Sequence, residues 1–325
     1  MLILHELTTF VATNHLLMKI LYYLLIAVCY PISLLPFWVH YLFADVLYIL
    51  IYYVGRYRVK VVRKNLASAF PEKSEEERKR IERKFYQWFC DYIVESMKLL
   101  TLSQEEMKKR IVFKNAELVD EITERGQSVT LYLGHYCNWE WVSSIPLWIN
   151  PIAWGGQVFH PLENKVFDKL FLKIRERMGS HCIAMQDILR EVLKHQQENQ
   201  PTVIGYISDQ KPLWVNIHHW VDFLHHDTPV LTGAERIARK MNHAALYVDV
   251  QRLRRGYYEA EFKCITREPQ KLKEFELTDI YFEMLEKSIR RAPEFWLWSH
   301  DRWKRTREEF NERFEVIDGK VIAKV

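Results

Sequence analysis

A long apolar stretch near the start of the chain constrains its fold more than any other feature. Residues 16–54 contain only two charged side chains, Lys19 and Asp45. The stretch exceeds the roughly 20 residues that one straight membrane span requires, yet it is short for two full spans and a loop. Pro31 and Pro36 divide it. We therefore predict one spanning or re-entrant helix before the prolines, and a second apolar helix that lies against the membrane or the rest of the protein.

The residues around this stretch bear on two alternatives to a membrane anchor and on the side of the membrane where the following chain lies. A removable signal peptide fits poorly, because the usual basic segment and the small-residue cleavage site are missing from the sequence. A buried apolar hairpin of a soluble protein is the other interpretation. Residues 56–64, RYRVKVVRK, are densely basic, which favours the cytoplasmic side for the chain that follows and suits anionic head groups. We predict a membrane anchor over residues 1–54 and one cytoplasmic domain over residues 55–325.

Charge and cysteine usage exclude several classes of protein. The 46 basic and 42 acidic residues leave a formal net charge of +4, which is too balanced for a nucleic-acid binder without a local basic stripe. The five cysteines are scattered and form no CxxC pair or metal-ligand spacing, which favours a reducing compartment. The sequence indicates nothing about oligomeric state.

Alternating strand-like and helical runs predict an α/β fold, with a mixed sheet flanked by helices, behind the N-terminal anchoring helices. The strand candidates include SVTLYLG, IAWGGQVF, TVIGYIS, AALYVDVQRL and YYEAEFKCI. A long amphipathic helix is expected after Ser74, which is a candidate N-cap because three glutamates fill the first turn. Another helix is expected near residues 187–198.

His135 is the first candidate for chemistry, because it follows the predicted strand that ends at Gly134. On one ideal helix, His135 and Glu140 would lie about 140° apart around the axis and could not meet. If Glu140 lies in the first turn of the next helix, its carboxylate can reach back to the imidazole. A carboxylate partner would fix one tautomer and leave the other nitrogen free to accept a proton. A structural histidine is an equally good interpretation of this pair alone.

The sequence HYCNWE, with its flanking blocks, resembles the glycerolipid acyltransferase superfamily and, within it, the late acyltransferases of bacterial lipid A biosynthesis. The similarity runs from about Tyr57 almost to the C-terminus. Its ordered blocks are YRVKVVRKNLASAFPEKSEEERKRI, GHYCNWE, the segment around Asn164 and Asp168, IRERMG, YISDQKP, LTGAERIARKMNHAALYVDV and PEFWLWSHDRWK.

The resemblance implies an enzyme that moves a fatty acyl group from an acyl thioester, usually carried on acyl carrier protein, to a lipid hydroxyl. His135 would be the general base, with Glu140 orienting it. It also implies that Arg175 and Asp209 belong to the site, with Arg177 as the alternative to Arg175. The block of Asn164 and Asp168 would contribute to substrate binding. The chemistry needs no metal or cofactor, and the expected location is the bacterial inner membrane with the catalytic domain facing the cytoplasm.

Several alternatives stay open. Asp301 stands where the family often has a second arginine, and the segment QKPLWVNIHHWVDFLHHDTPVL is unusually rich in His and Trp. The acceptor is therefore a lipid A precursor or a related glycolipid, or else a lysophospholipid or an amino-acid-containing lipid, and coenzyme A is a second possible carrier. The histidine pairs lack the HExxH spacing of a metal site, and no GxSxG sequence supports a serine hydrolase. A non-catalytic membrane scaffold is the remaining interpretation.

Overall fold

The structure is a computed structural model that describes residues 2–317 and 319–324, with side chains from Met18 onward. Seven of its strands form a central sheet. In chain order, all the strands of the described residues are β1 (Ile111–Lys114), β2 (Val129–Leu133), β3 (Trp154–Phe159), β4 (His181–Ala184), β5 (Thr202–Ile207), β6 (His219–Phe223), β7 (His226–Val230), β8 (Ala244–Arg254), β9 (Tyr257–Thr266), β10 (Phe314–Ile317) and β11 (Lys320–Ala323). Two antiparallel hairpins, β6–β7 and β10–β11, lie outside the sheet.

The sheet is mixed, as predicted. Its strand order is β1, β9, β8, β2, β5, β3 and β4. The β8–β9 pair is antiparallel, and the other neighbouring pairs are parallel. All five residues of β2 are buried, which is typical of a parallel strand covered on both faces.

Helices flank this sheet, so the predicted α/β class is confirmed. They are α1 (Leu2–Leu34), α2 (Phe37–Tyr48), α3 (Val59–Ala69), α4 (Glu75–Lys98), α5 (Gln104–Arg110), α6 (Ala116–Glu124), α7 (Trp139–Val142), α8 (Lys165–Glu176), α9 (Ile188–Gln197), α10 (Gly233–Met241), α11 (Glu276–Arg291) and α12 (Arg307–Arg313). A π-helical segment (Ile49–Val54) extends α2, and short 3-10 turns span Ile145–Leu147, Trp214–Asn216, Pro269–Lys271 and Pro293–Phe295.

The long amphipathic helix begins where the sequence predicted. The Ser74 hydroxyl accepts the Glu77 backbone N–H at 3.2 Å, and the Glu77 carboxylate accepts the Ser74 N–H at 2.8 Å. This capping box satisfies two of the otherwise unpaired donors at the start of α4. The buried face of α4 then carries Ile81, Phe85 and Trp88 into the core.

The prediction that both prolines divide the apolar stretch is wrong in one detail. Helix α1 continues through Pro31 to Leu34, and the break comes at Pro36, which precedes α2. An interior proline removes one hydrogen bond, a loss that an apolar helix can tolerate when neighbouring groups satisfy the freed backbone. At the actual break, the Lys98 ammonium donates to the carbonyls of Ser33 and Leu35, both at 2.7 Å. The last turn of α1 is thus capped from α4.

The apolar helix that follows Pro36 lies along α4. Ala44 packs against Cys90 and Val94, while the Arg255 guanidinium ties Asp45 to Asp91 at 2.6 Å from each. Among the described residues, the combined helix Phe37–Val54 alone is long and apolar enough to cross a membrane, with a mean hydropathy of 1.5 and 11% of its residues buried. Met18–Leu34, the part of α1 whose side chains are described, is apolar but too short to span by itself. The membrane candidate among these residues is therefore the helix after the prolines, and the span that the sequence predicts before them lies partly outside the described side chains and stays a prediction.

Candidate active site

The two central parallel strands bring His135 and Asp209 together. In the β2–β5 register, Leu133 pairs with Ile207, and each polar residue comes two positions later at the carboxyl end of its strand. Ligand sites in α/β folds favour this edge. A Cβ on Gly134 would lie 2.6 Å from Leu285 Cδ1, so a larger residue there would require the Leu285 side chain to move.

A short hydrogen bond joins the imidazole to the carboxylate. His135 Nδ1 lies 2.6 Å from Asp209 Oδ1, and the His135 backbone N–H donates to Asp209 Oδ2 at 3.0 Å. The Trp296 indole N–H donates to the same Oδ2 at 2.8 Å. With the Nδ1 proton directed at Asp209, His135 Nε2 accepts from the Gln210 amide at 3.2 Å. The geometry is that of an oriented base whose Nε2 is available for a proton.

Asp209 is ionised in spite of its burial. Its side chain is almost fully buried, which by itself favours the neutral acid. The electrostatic effect of the adjacent His135 ring and the hydrogen bonds from His135 and Trp296 outweigh burial, and the pKa of the Asp209 carboxyl falls below its ordinary value. The carboxylate can therefore balance a positive charge that forms on the imidazole.

The expected contact between Glu140 and His135 is wrong. Glu140 is the second residue of α7, and both of its carboxylate oxygens bind the Arg175 guanidinium on α8, at 2.7 Å to Nε and 2.6 Å to Nη2. The Tyr92 hydroxyl donates to the same carboxylate at 3.3 Å. The sequence argument considered only groups near His135 in the chain. The neighbouring strand supplies Asp209 with better geometry, and a bidentate Arg–carboxylate pair is among the strongest hydrogen-bonded pairs in proteins.

Arg175 keeps its charge in this pair. Burial lowers the pKa of its guanidinium, but the Glu140 charge and the two hydrogen bonds raise it by more, so the net pKa is raised. The Glu140 side chain is 2% exposed and that of Arg175 is 23% exposed. The Arg175 guanidinium, held in place by Glu140, therefore presents a positive charge at the wall of the site.

A cavity of about 690 Å³ connects the two pairs. His135, Glu140, Arg175 and Gln210 all line it, and the rest of the wall is mainly apolar. The apolar part includes Leu131, Val142, Ile145, Val158, Phe159, Phe171, Met185, Ile188 and Ile237. A largely apolar pocket of this size with a few convergent polar groups is typical of a small-molecule or lipid-chain site.

The remaining predicted binding residues hold helix α8 in place. The Asn164 side-chain oxygen Oδ1 caps α8 by accepting the backbone N–H groups of Val166 and Phe167. Asp168 accepts the Leu162 backbone N–H at 2.8 Å. Arg177, the alternative to Arg175, donates to the Leu102 carbonyl at 3.2 Å. None of these three side chains lines the cavity in the described part of the chain, so their role in substrate binding stays a prediction.

Sequence reasoning missed three polar contributors. Trp296 stands in the PEFWLWSHDRWK block, where no pattern in the sequence predicts a polar role for it, and its indole N–H binds Asp209. Gln210 stands beside Asp209 in the YISDQKP block, so its contact with His135 had a signal in the sequence. Tyr92 lies on the amphipathic helix α4, and the sequence pattern of that helix does not distinguish it from a residue that only packs in the core. In the structure its hydroxyl donates to Glu140.

The paired histidines of the His-rich segment have structural contacts. His219 binds Asp279 at 2.7 Å and stacks on Phe275, and His226 stacks on Trp303 with ring centroids 4.0 Å apart. Within residues 2–317 and 319–324, the structure groups no three His, Cys, Asp or Glu side chains in a way that could hold a metal ion.

Comparison with known proteins identifies the family to which the chain is related. The model of the bacterial lipid A biosynthesis acyltransferase family matches residues 9–305. The chain is 27% identical over 149 residues to lipid A biosynthesis acyltransferase 2 of Shigella flexneri, covering 44% of this chain and 46% of that protein. It is 25% identical over 134 residues to the lipid A biosynthesis myristoyltransferase of Escherichia coli strain K12, covering 40% of each. The chain matches less than half the length of these curated relatives.

Proposed function

The chain belongs to the bacterial lipid A biosynthesis acyltransferase family, and we propose that it transfers a fatty acyl group from an acyl thioester to a hydroxyl of a lipid A precursor or a related glycolipid. In addition to family membership, one structural observation supports the proposal. His135 has one nitrogen bound to a buried carboxylate and the other directed at Gln210 on the wall of an apolar cavity.

The proposed reaction uses His135 Nε2 as the base. The acceptor hydroxyl displaces the Gln210 amide from Nε2 and loses its proton to that nitrogen as its oxygen attacks the thioester carbonyl. Asp209 stabilises the imidazolium through Nδ1, as in other base–carboxylate pairs. The tetrahedral intermediate then expels the thiolate, which takes the proton back from Nε2. The acyl group ends as an ester on the acceptor, and the carrier leaves as a free thiol.

Arg175 and the apolar wall have separate roles in this proposal. The acyl chain occupies the apolar part of the cavity, away from water. The Arg175 guanidinium, fixed by Glu140, provides positive charge near the carbonyl oxygen as negative charge develops there. The donor is an acyl carrier protein thioester, with coenzyme A as the other carrier to test.

The N-terminal helices support a membrane location. The exposed apolar side chains of Phe37–Val54, including Trp38, Leu42 and Leu50, suit contact with lipid acyl chains. The basic segment that follows suits the anionic cytoplasmic leaflet. We place the enzyme at the bacterial inner membrane, with residues 1–54 as anchor and residues 55–325 as the catalytic domain on the cytoplasmic side.

The test is acyl transfer by the full chain purified in detergent, with defined thioesters and acceptors. Loss of a general base typically costs 10²–10⁴-fold, so His135→Ala is expected to lower kcat by about that factor. His181→Ala is the matched control, because His181 is exposed on edge strand β4 and does not line the cavity. Full activity of His135→Ala would contradict the mechanism. Mass spectrometry of the products then separates lipid A precursors from lysophospholipids and amino-acid-containing lipids as acceptors.

A further inference from the structure

One loop of the cavity wall contains the residue that contacts the base. This Gln210 loop, residues 210–217, directly follows Asp209, and the Gln210 amide donates to His135 Nε2 at 3.2 Å. Three further residues of the loop that line the cavity are Pro212, Leu213 and Asn216. Leu213 is more than half exposed, so the loop forms a part of the wall that meets solvent. The position of the loop therefore decides how much of the reacting nitrogen stays covered.

Little regular structure holds the Gln210 loop in place. Within residues 208–218, the 3-10 turn Trp214–Asn216 is the one regular element. A segment of this kind moves on the nanosecond to microsecond timescale unless contacts with other segments restrain it. One such contact joins the Arg305 guanidinium to the Pro212 carbonyl. The larger contact is made by the side chain of Trp214.

The indole ring of Trp214 contacts two aromatic rings and two guanidinium groups. It stacks on the Phe314 ring, with centroids 5.7 Å apart and planes at 18°, and lies 6.4 Å from the Phe310 centroid. The guanidinium groups of Arg305 and Arg313 lie 5.2 Å and 5.4 Å from the centroid of the indole. Stacked rings and cations over a ring face attract one another at these distances. Four side chains from one stretch of the chain therefore hold the ring.

Three of these four side chains belong to the C-terminal segment, which consists of α12, β10 and β11 and has its own anchors in the domain. The Arg307 guanidinium binds both carboxylate oxygens of Asp227 on β7. Phe310 packs edge-on against Trp220 of β6, with ring centroids 5.9 Å apart. The segment is thus fixed to the domain and can restrain the loop. The match to the family model ends at residue 305, so family membership does not account for the contact between this segment and Trp214.

The restraint matters for the reaction, because water competes with the acceptor for the same base. In hydrolysis, a water molecule gives its proton to His135 Nε2 while its oxygen attacks the thioester carbonyl. The carrier leaves as a thiolate that takes the proton back from Nε2, and the acyl group ends as a fatty acid instead of an ester. A transferase must therefore limit the access of water to its base. The His135 side chain is 19% exposed, and the Gln210 amide covers the nitrogen on which both reactions depend.

We propose that Trp214 is a specificity-determining residue. Held by the C-terminal segment, it fixes the Gln210 loop over His135, so that the acceptor hydroxyl is used in preference to water. An acceptor bound in the cavity displaces the Gln210 amide from Nε2, whereas a single water molecule has no further contacts with which to do so. Gln210 and Leu213 lie on the same loop as Trp214, so release of the indole loosens both. This inference rests on the proposed function, since it concerns the choice of nucleophile by the same base.

The experiment measures the ratio of thioester hydrolysis to acyl transfer by the full chain, with an acyl carrier protein thioester and a saccharide lipid acceptor. Mass spectrometry quantifies the free fatty acid and the acylated lipid in the same sample. Phe314→Ala removes one stacking partner and is expected to raise the ratio about fivefold, and Trp214→Ala is expected to raise it by at least that factor. Trp214→Phe keeps a ring for stacking and is expected to retain most of the wild-type preference. Ile317→Ala is the matched control, because Ile317 is exposed on the opposite face of β10 from Phe314.

The ratio does not depend on how much of a variant folds, because both products come from the same active molecules. A ratio that stays at the wild-type value in both alanine variants, with transfer and hydrolysis lowered equally, would overturn the inference. Trp214 would then contribute to the fold alone.

Chemical modification of His135 separates this inference from the proposed function. Diethyl pyrocarbonate reacts with a free imidazole nitrogen, and peptide mass spectrometry measures the rate at His135 without any lipid substrate. The rate is expected to rise about fivefold in Phe314→Ala and to stay unchanged in Ile317→Ala. If it rises while the wild-type chain transfers no acyl group, the proposed function fails and the control of access to His135 stands. If it does not rise while the wild-type chain transfers acyl groups, the proposed function stands and the role of Trp214 is wrong.

Discussion

Two buried carboxylates flank the cavity, and their partners give them different chemistry. Asp209 shares a hydrogen bond with an imidazole, whose charge changes when it accepts a proton. Glu140 binds a guanidinium, which stays charged at any accessible pH. Asp209 can therefore respond to proton transfer, whereas the charge of Glu140 is already balanced before any substrate arrives.

The difference comes from where each residue lies in the fold. Asp209 follows strand β5, which is hydrogen-bonded to β2, the strand before His135, so the sheet register sets the distance between the two residues. Glu140 lies on a short helix that packs near α8, so its position depends on how two helices meet. The comparison indicates that Asp209 positions the base and Glu140 positions Arg175.

Exchange of Asp209 for Asn tests this division most strongly. The amide can donate to His135 Nδ1, which would leave the proton on Nε2 and remove the base. By analogy with base–carboxylate pairs of the same geometry, Asp209→Asn is expected to lower kcat by about 10⁴ with little change in fold. Initial rates at saturating substrate measure the loss, and thermal unfolding checks the fold. If Asp209→Asn stays active while Glu140→Gln is inert, Glu140 is the partner of the base after all.

The sequence predicted which residues lie near one another better than it predicted which of them are in contact. His135, Glu140, Arg175 and Asp209 all line or adjoin one cavity, because ordered sequence blocks indicated them together. Strand ends were also predictable, since β2 and β5 are short apolar runs followed by a polar residue.

The pairing of these residues required the sheet order. The sequence contains no signal that β2 and β5 are neighbours in register, because 74 residues separate His135 from Asp209 and that adjacency is a property of the whole sheet. The same limit applies to Trp296, whose contact with Asp209 joins segments 87 residues apart.

Substituting either member of the Glu140–Arg175 pair tests its role through the free energy of unfolding. Arg175→Met leaves the Glu140 carboxylate buried without a cation, and the expected loss in the free energy of unfolding is about 3–5 kcal/mol. Glu140→Gln is expected to cost less, because the Arg175 side chain is 23% exposed and can gain water. The double variant Glu140→Gln/Arg175→Met should recover part of the loss seen with Arg175→Met. Denaturant unfolding of all three chains measures these differences, and additive losses would show that the pair is not coupled.

Glu95 is a third buried carboxyl group, and its hydrogen-bond donors are neutral, unlike the Arg175 guanidinium that binds Glu140. Its oxygens accept from the Asn138 amide at 2.7 Å and from the hydroxyls of Tyr258 and Tyr41 at 2.8 Å and 3.1 Å. Burial raises the pKa of Glu95 to about 7, and the nearby Asp91 charge adds to the rise. The group is thus protonated in the folded protein under conditions in which it is ionised in the unfolded chain.

The sign of the resulting pH dependence follows from proton counts. Between the unfolded pKa of 4.5 and the folded pKa of about 7, the folded state binds more protons than the unfolded state, so stability falls as pH rises. Relative to Glu95→Gln, which keeps the shape without the ionisation, the wild-type chain is expected to lose about 3 kcal/mol of unfolding free energy across that range. Denaturant unfolding of both chains from pH 5 to pH 8 measures the difference. A constant difference would mean that Glu95 is ionised in the fold, and that its neutral donors are enough to stabilise a buried carboxylate.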